Sequence, residues 1–258
     1  MIPISRMAVA HIEITNHCTL QCTNCTRFCD KSGHERYYMS IEDVRKAIRS
    51  LKGFKQQIGI MGGEPTLHPK FREICWEMTV VPKAQRSLWT NGFNYEKYKD
   101  VIEDTFLPEN IIYNDHKDDK DYDIHHPLHY RSKDIVKDDF LRGLLTGNCW
   151  VQWRWGASIN PKGAYFCEVA AAMDMKDNGN YGYKVEPGWW DRNPNDFIDQ
   201  VMRFCPNCSA CVPMDGDIIG TKKSRRVNRR TTESILRSLK NWRPWEHRKV
   251  SKDGNYII

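Results

Sequence analysis

Three cysteines stand close together near the beginning of the sequence: Cys18, Cys22 and Cys25, in the spacing C-x3-C-x2-C. Three thiolates on one short loop can hold three irons of a [4Fe–4S] cluster and leave the fourth iron open to a small chelating ligand. Zinc is the alternative, because structural zinc sites close with four ligands and His17 or Cys29 is available as the fourth. The loop predicts a metal centre, and its spacing favours the cluster.

A glycine pair followed by a carboxylate, Gly62-Gly63-Glu64-Pro65, ends the second predicted strand. Glycines have no Cβ, so backbone carbonyls there can approach a ligand closely. A carboxylate beside them suits a cationic amino group. Alone, such a sequence at a strand end indicates a turn, but it follows the cysteine loop here and each motif comes directly after a strand. The two motifs in this order form a specific pair.

This pair of motifs resembles the radical S-adenosylmethionine (SAM) enzymes, with weaker support from Thr90-Asn91-Gly92 after the third predicted strand. The resemblance implies a [4Fe–4S] cluster on the three cysteines, with the amino and carboxylate groups of SAM chelated at its open iron. It implies one-electron cleavage of SAM to methionine and a 5′-deoxyadenosyl radical that abstracts a substrate hydrogen. It also implies an external one-electron donor such as flavodoxin or ferredoxin.

The same resemblance assigns residues to SAM. Residues 62–65 are expected to meet its methionyl amino group. Asn91 and Asn114 follow the third and fourth predicted strands, and they are candidates for contact with the side of SAM and its ribose. SAM binding is thus expected at the ends of three strands.

Five further cysteines follow residue 147: Cys149, Cys167, Cys205, Cys208 and Cys211. A predicted hairpin turn at residues 160–163 separates the first two, and the last three have the spacing C-x2-C-x2-C. Four thiolates from distant segments close a metal site completely, and a zinc ribbon uses much the same spacing. Beside the first motif, the pattern resembles the twitch domain, the shorter relative of the SPASM domain, which carries an auxiliary cluster.

The twitch resemblance implies a second [4Fe–4S] cluster. Its expected ligands are Cys149, Cys167, Cys205 and Cys208, with Cys211 spare or an alternative ligand. Three cysteines and one open iron are the other possibility, and an open iron would bind substrate directly. The chain length and the spacing between the first two cysteines are most similar to the aminocyclitol dehydrogenases of the radical SAM family.

Oxidation of an alcohol would use both clusters. Hydrogen abstraction at carbon and loss of the hydroxyl proton leave a ketyl radical, which is a strong reductant that a nearby cluster can oxidise. Such a reaction needs a base at the hydroxyl. The candidate bases are His125, His126, His129 and Arg154. The prediction is a dehydrogenase-like radical SAM oxidoreductase that acts on a small polar substrate, sugar-like or cyclitol-like.

A basic segment ends the chain. Residues 222–249 are rich in Lys and Arg and include Trp242 and Trp245. Basic and aromatic side chains together suit phosphates and stacked bases. A peptide or nucleic acid held by this segment is therefore the alternative substrate, and a zinc-binding, nucleic-acid-binding protein is a remote alternative.

The elements that must position these motifs alternate between strand and helix. Residues 7–15 predict a buried strand that ends at the cysteine loop. The further predicted strands are 57–61, 86–90 and 110–114, and the predicted helices are 39–51, 69–78, 95–103 and 134–145. Such alternation indicates parallel βαβ units, and the loops at the carboxyl ends of parallel strands converge on one face.

The predicted fold class is therefore α/β. We expect a partial (β/α)5–6 barrel of the radical SAM type over residues 1–147. A small cysteine-rich α+β auxiliary-cluster domain is expected over residues 148–220, with residues 151–159 and 163–169 as a hairpin. Residues 221–258 form the basic tail.

Composition limits the class of protein. The 258 residues carry a net charge of +6, and 40% are hydrophobic, which is enough for a packed core. No stretch approaches the roughly 20 apolar residues that cross a bilayer, and the first residues lack the apolar core of a signal peptide. The expectation is a cytoplasmic protein without membrane contact, in a reducing compartment where cysteines serve metals or redox chemistry.

Overall fold

A mixed β-sheet forms the frame of the protein in a computed structural model that describes residues 1–20, 22, 25–29, 35–113 and 131–212. The strands are β1 (Val9–Glu13), β2 (Gln57–Met61), β3 (Arg86–Thr90), β4 (Ile111–Tyr113), β5 (Gly156–Asn160) and β6 (Gly163–Tyr165). The helices are α1 (Ile41–Ser50), α2 (Phe71–Glu77), α3 (Tyr95–Thr105), α4 (Ser132–Ile135), α5 (Asp139–Gly147), α6 (Val151–Arg154), α7 (Glu168–Lys176) and α8 (Ile198–Phe204). Strands and helices alternate as far as β4, as the sequence predicts.

The six strands lie in the order β4-β3-β2-β1-β5-β6. The first five of them run parallel, and β6 returns antiparallel to β5. The carboxyl ends of the parallel strands therefore meet at one edge, where the loops that follow them come together. The prediction of an α/β partial barrel with five or six strands is confirmed.

Alternate residues of the central strands face opposite sides of the sheet. One side is apolar and buried: Ala10, Ile12, Ile58, Ile60 and Leu88. On the other side, which we call the polar side, His11 lies beside Gly59 and Ser158. A Cβ on Gly59 would lie 2.3 Å from the indole of Trp89, so glycine at this position makes room for that ring.

Helix α1 begins at Ile41, two residues after the start of the predicted helix at 39–51. The side chain of Ser40 caps it by accepting a hydrogen bond from the backbone N of Asp43, at 3.0 Å. Its apolar positions Val44, Ala47 and Ile48 are buried. Because the cap satisfies an otherwise unpaired N–H, it fixes the first turn of the helix.

The hairpin predicted after residue 147 is present as β5 and β6. Its turn is held by the side chain of Asn160, which accepts a hydrogen bond from the backbone N of Lys162 at 2.8 Å. The predicted strands 151–159 and 163–169 are wrong at their outer ends, because α6 precedes β5 and α7 begins at Glu168. Three successive alanines in α7, which are strong helix formers, favour this early change from strand to helix.

Strand β5 pairs with β1, so one sheet continues across residue 147. The division into two domains at that residue stays a prediction. The predicted basic tail, residues 221–258, lies outside the described residues. Within the described ranges, no helix is long and apolar enough to cross a membrane.

Candidate active site

A cavity of about 510 Å³ lies among the loops that follow β1, β2 and β3. Four cysteines line it: Cys18, Cys22, Cys25 and Cys29. Gly62, Gly63 and Asn91 complete the wall at the ends of the neighbouring strands. We call this the first cavity. It brings together the three predicted cluster ligands and Cys29, which the sequence offers as a fourth ligand for zinc.

The glycine pair is required by the backbone that leads to the cysteines. The N–H of Gly63 donates to the carbonyl of Thr15, at 2.8 Å. A Cβ on Gly62 would lie 2.2 Å from the carbonyl oxygen of Thr15, and one on Gly63 would lie 2.2 Å from that of His17. Any side chain at either position would therefore displace the segment that carries Cys18.

The carboxylate of Glu64 joins two of the loops. It accepts hydrogen bonds from the backbone N and the hydroxyl of Thr66, at 3.0 and 2.6 Å. It also accepts from the hydroxyl of Thr90 at 2.7 Å and from the backbone N of Asn91 at 2.6 Å. Three of these donors share Oε1 and only one reaches Oε2, so Oε2 keeps capacity for a further donor. Direct contact of Glu64 and Pro65 with the SAM amino group stays a prediction.

Asn91 connects the loop after β3 to the cysteine loop. Its amide nitrogen Nδ2 lies 3.7 Å from Sγ of Cys18 and 3.3 Å from Oγ1 of Thr19, and it donates to both. A hydrogen bond to a ligating sulfur tunes the potential of an iron–sulfur cluster. Asn91 thus lies at the first cavity as predicted, whereas the other predicted ribose contact, Asn114, lies outside the described residues.

The thiols of the first cavity differ in acidity. A hydrogen bond from the Cys29 thiol lowers the pKa of Cys25 to about 6. The same hydrogen bond raises the pKa of Cys29, and burial raises the pKa of Cys18. Since the thiolate is the form that binds metal, Cys25 is prepared for ligation at neutral pH.

A second cavity, of about 400 Å³, is lined by all five of the later cysteines: Cys149, Cys167, Cys205, Cys208 and Cys211. Apolar side chains, among them Phe166 and Phe204, form much of the rest of its wall. The hydroxyl of Thr146 donates to Sγ of Cys211 at 3.8 Å. The four predicted ligands therefore come together, and Cys211 lies with them rather than apart.

Burial raises the pKa of the five thiols around the second cavity. The pKa values of Cys167 and Cys211 reach about 11. Buried neutral thiols of this kind ionise when a metal binds them. A set made only of sulfur ligands suits iron–sulfur clusters or zinc. Among the described residues, no three His, Cys, Asp or Glu side chains form a site for one metal ion.

The candidate bases are not placed by the structure. His125, His126 and His129 lie outside the described residues. Arg154 ends α6, and only its backbone is described. Their role as a base therefore stays a prediction.

Sequence reasoning missed a buried polar group on the polar side of the sheet. The guanidinium of Arg27 donates to the carboxylate of Glu13, which also accepts from the hydroxyl of Ser158. Nη2 of Arg27 lies 3.4 Å from Oε1 of Glu168, and Nε2 of His11 lies 3.5 Å from Oε2 of Glu168. We call these five residues the polar cluster. The signal that could have indicated it is the pair of polar residues at alternate positions of a buried strand, His11 and Glu13.

Burial is the largest cause of the pKa shifts of the acids and the histidine in the polar cluster. It raises the pKa of Glu168 to about 7 and also raises that of Glu13, although Arg27 opposes both shifts. Burial lowers the pKa of His11, and Arg27 adds to this effect. The imidazole is therefore neutral at physiological pH.

Comparison with known proteins agrees with this geometry. Residues 12–107 match the family model described as the radical SAM superfamily. The matched segment contains the cysteine loop, the glycine pair and Asn91, which together line the first cavity. Residues 12–107 are a radical SAM superfamily domain.

Two curated relatives illustrate the similarity. A probable GTP 3′,8-cyclase of Methanocaldococcus jannaschii is 35% identical over 96 residues, which are 37% of this chain and 32% of the relative. The GTP 3′,8-cyclase of Actinobacillus succinogenes is 29% identical over 85 residues, which are 32% of this chain and 25% of the relative. The chain thus spans a third or less of these relatives.

Solved structures are similar at lower identity. BtrN in complex with AdoMet and 2-DOIA has a TM-score of 0.47 and 16% identity, covering 78% of this chain and 92% of that chain. Streptococcus suis SuiB bound to S-adenosylmethionine has a TM-score of 0.29 and 22% identity, covering 34% of this chain and 20% of that chain.

Proposed function

We propose that this protein is a radical SAM oxidoreductase that oxidises a small polar substrate, sugar-like or cyclitol-like, and passes an electron to an auxiliary cluster. The observation that carries the proposal is the presence of two cysteine-lined cavities in a protein framed by one sheet. The radical SAM domain supports the first cavity as the place of SAM cleavage. The five cysteines of the second cavity support an electron acceptor.

In the first cavity, Cys18, Cys22 and Cys25 would hold the cluster, and Gly62, Gly63 and Asn91 would line the SAM site. When bound, this cluster supplies the electron that cleaves SAM to methionine and a 5′-deoxyadenosyl radical. The residues of the chain orient SAM and keep water from the radical, which would otherwise react with solvent-borne hydrogen donors. A flavodoxin or ferredoxin is the proposed electron donor.

In the second cavity, four of the five cysteines would hold an auxiliary [4Fe–4S] cluster. The preferred set is Cys149, Cys167, Cys205 and Cys208, with Cys211 as the alternative ligand. The apolar wall of the cavity supports a redox role, because burial of a cluster tunes its reduction potential. The base at the substrate hydroxyl is proposed among Arg154 and the three histidines at 125, 126 and 129.

The names of the curated relatives favour a second candidate, the cyclisation of GTP. A peptide or nucleic acid held by residues 222–249 is a further candidate. A nucleotide or nucleic acid bound by basic residues would lose affinity steeply as salt is raised. To separate the three candidates, the reconstituted protein is incubated with a sugar-like alcohol, with GTP, or with a peptide or nucleic acid. The deoxyadenosine formed is then measured for each.

The first experiment is anaerobic reconstitution, with iron, sulfide and zinc counted per chain. We expect about eight irons in the wild type and about four in the variant Cys149→Ala/Cys167→Ala. Cys75→Ala is the matched control, because Cys75 is buried and lines neither cavity, and it should keep about eight. Zinc in the second cavity would contradict the proposed electron acceptor. Absence of deoxyadenosine after addition of SAM and a strong reductant would contradict the enzyme class.

A further inference from the structure

Arg27 lies between the two cavities. It follows Cys25 by two residues and lines the first cavity. Its Nη2 lies 3.4 Å from Oε1 of Glu168, and the residue before Glu168, Cys167, lines the second cavity. One guanidinium therefore reaches from the wall of the first cavity to the residue next to a cysteine of the second.

The charge of Arg27 is almost completely removed from water, with 5% of its side chain exposed. Burying a charge is costly unless it is paired, and Glu13 and Glu168 supply the pairing. The pairing is incomplete, however, because Nε and Nη2 of Arg27 have no hydrogen-bond partner among the described residues. Buried donors without partners are rare in folded proteins, and such a donor indicates a functional role for its residue.

The positive charge also acts on both sets of cysteines. Burial alone would lower the pKa of Arg27, but the charges of Glu13 and Glu168, followed by those of Cys25 and Cys167, raise it overall. In a medium of low dielectric constant such an interaction extends over several ångströms. A metal cluster at either set of thiolates therefore lies within the electrostatic reach of this one guanidinium.

We propose that Arg27 sets the reduction potentials of both iron–sulfur clusters, raising each above the value that its own cysteines would give. The inference rests on the proposed function, which places one cluster in each cavity. Reduction adds negative charge to a cluster, and a nearby buried cation stabilises the reduced form. Any change in the charge of this single residue therefore moves the reduction potentials of both clusters in the same direction.

The carboxylate of Glu168 provides a second way to test the idea. It lies beside the same guanidinium and next in sequence to Cys167, and it carries the opposite charge. Neutralising it must therefore move the potentials in the direction opposite to the loss of Arg27. A merely structural role for the ion pair predicts no such opposition of sign.

The test is a potentiometric titration of both clusters, followed by electron paramagnetic resonance, at a pH above neutrality. In Arg27→Gln we expect both potentials to fall far enough to change each reduced-to-oxidised ratio at least tenfold, which is about 59 mV for one electron. In Glu168→Gln both should rise, and Arg27→Lys should stay near the wild type. Arg86→Gln is the matched control. Arg86 is also buried, but it donates hydrogen bonds to backbone carbonyls and lines neither cavity.

About eight irons per chain with unchanged potentials in Arg27→Gln and Glu168→Gln would overturn the inference and leave the proposed function standing. A change at only one cluster would overturn the joint action of Arg27. Only about four irons in the wild type would contradict the proposed second cluster and remove the joint action with it, and the iron count identifies this case. If Arg27→Gln does not fold, the isosteric Glu168→Gln still decides by the sign of its change.

Discussion

At the scale of single residues, the first cavity depends on contacts that a motif does not display. The glycines and the carboxylate of residues 62–65 are visible in the sequence, but their partners are not. Gly63 approaches the carbonyl of His17, and Glu64 accepts four hydrogen bonds from Thr66, Thr90 and Asn91. These residues hold the loops of three strands in place around the cysteines, so their first role is positional.

Gly63→Ala should abolish the first cluster and spare the second. The new Cβ would lie 2.2 Å from the carbonyl oxygen of His17, which must then move together with the segment that leads to Cys18. Iron per chain should fall from about eight to about four after reconstitution. Gly143→Ala is the control, because its Cβ would meet nothing within 4 Å and alanine favours the helix there. Equal iron in the two variants would show that the close approach is unimportant.

Glu168 should make stability depend on pH. Burial raises its pKa in the folded protein to about 7, from an ordinary 4.5, so the folded state binds the proton more tightly. The resulting stabilisation is complete below about pH 4.5 and is lost as pH rises through about 7, and its loss lowers the free energy of unfolding by roughly 3 kcal/mol.

Glu168→Gln carries no such proton and should show a flatter profile. Urea unfolding of both proteins at about pH 5 and about pH 8 measures the difference in the free energy of unfolding. If the free energy of unfolding changes equally with pH in both proteins, folding does not raise the pKa of Glu168.

At the scale of elements, the hairpin of β5 and β6 builds the second cavity by returning the chain to Cys167. Gly163 begins β6 with a φ of 136°, a conformation that favours glycine. A Cβ there would lie 2.6 Å from the carbonyl oxygen of Tyr183. The return strand therefore depends on a glycine at this position.

Gly163→Ala should weaken the second cluster while leaving the first in place, because backbone strain and a backbone clash act together at the base of β6. Iron should fall toward about four per chain, with deoxyadenosine still formed from SAM. Gly188→Ala is the control, since Gly188 also has a positive φ, of 85°, but nothing lies within 4 Å of a Cβ there. Loss of deoxyadenosine formation in Gly163→Ala alone would contradict the separate roles of the two cavities.

The elements also show how far the sequence can be used. Strands at 57–61 and 86–90 have the predicted bounds, because short runs of β-formers end at glycine or at a polar loop. The helix at residues 151–154 was not predicted, because Val151 and Trp153 alternate with polar residues there, and such alternation predicts a strand. The spacing offers Cys29 and Cys211 as alternative ligands, and each lines its cavity. Arg27 and Glu168 reach His11 and Glu13 through tertiary contacts that the sequence does not show.

At the scale of the whole molecule, one buried core spans both parts of the chain. It includes Ile12 and Ile60 on the central strands and also Ala171 and Phe204, which follow residue 147. The indole N–H of Trp189 donates to the hydroxyl of Ser50 at 3.1 Å, so the later segment is also tied to the end of α1. A shared core of this kind couples the stability of the two parts.

We therefore expect the described part of the chain to unfold in one cooperative transition. Urea curves followed by far-ultraviolet circular dichroism, by tryptophan fluorescence and by labelling of the buried Cys75 should coincide. Protection from hydrogen exchange should be greatest in β1 and in its two neighbours. Two separated transitions would instead show that residues 148–220 fold as an independent domain.

The pairing of β1 with β5 joins residues 9–12 to residues 156–159. During synthesis β1 leaves the ribosome long before its partner exists, so one edge of it stays open to pairing with other chains until β5 arrives. Every residue that lines the first cavity has been made by Asn91, whereas Cys205, Cys208 and Cys211 come last. We therefore expect the cysteines of the first cavity to come together before those of the second are complete, and the pairing of such distant strands to slow folding.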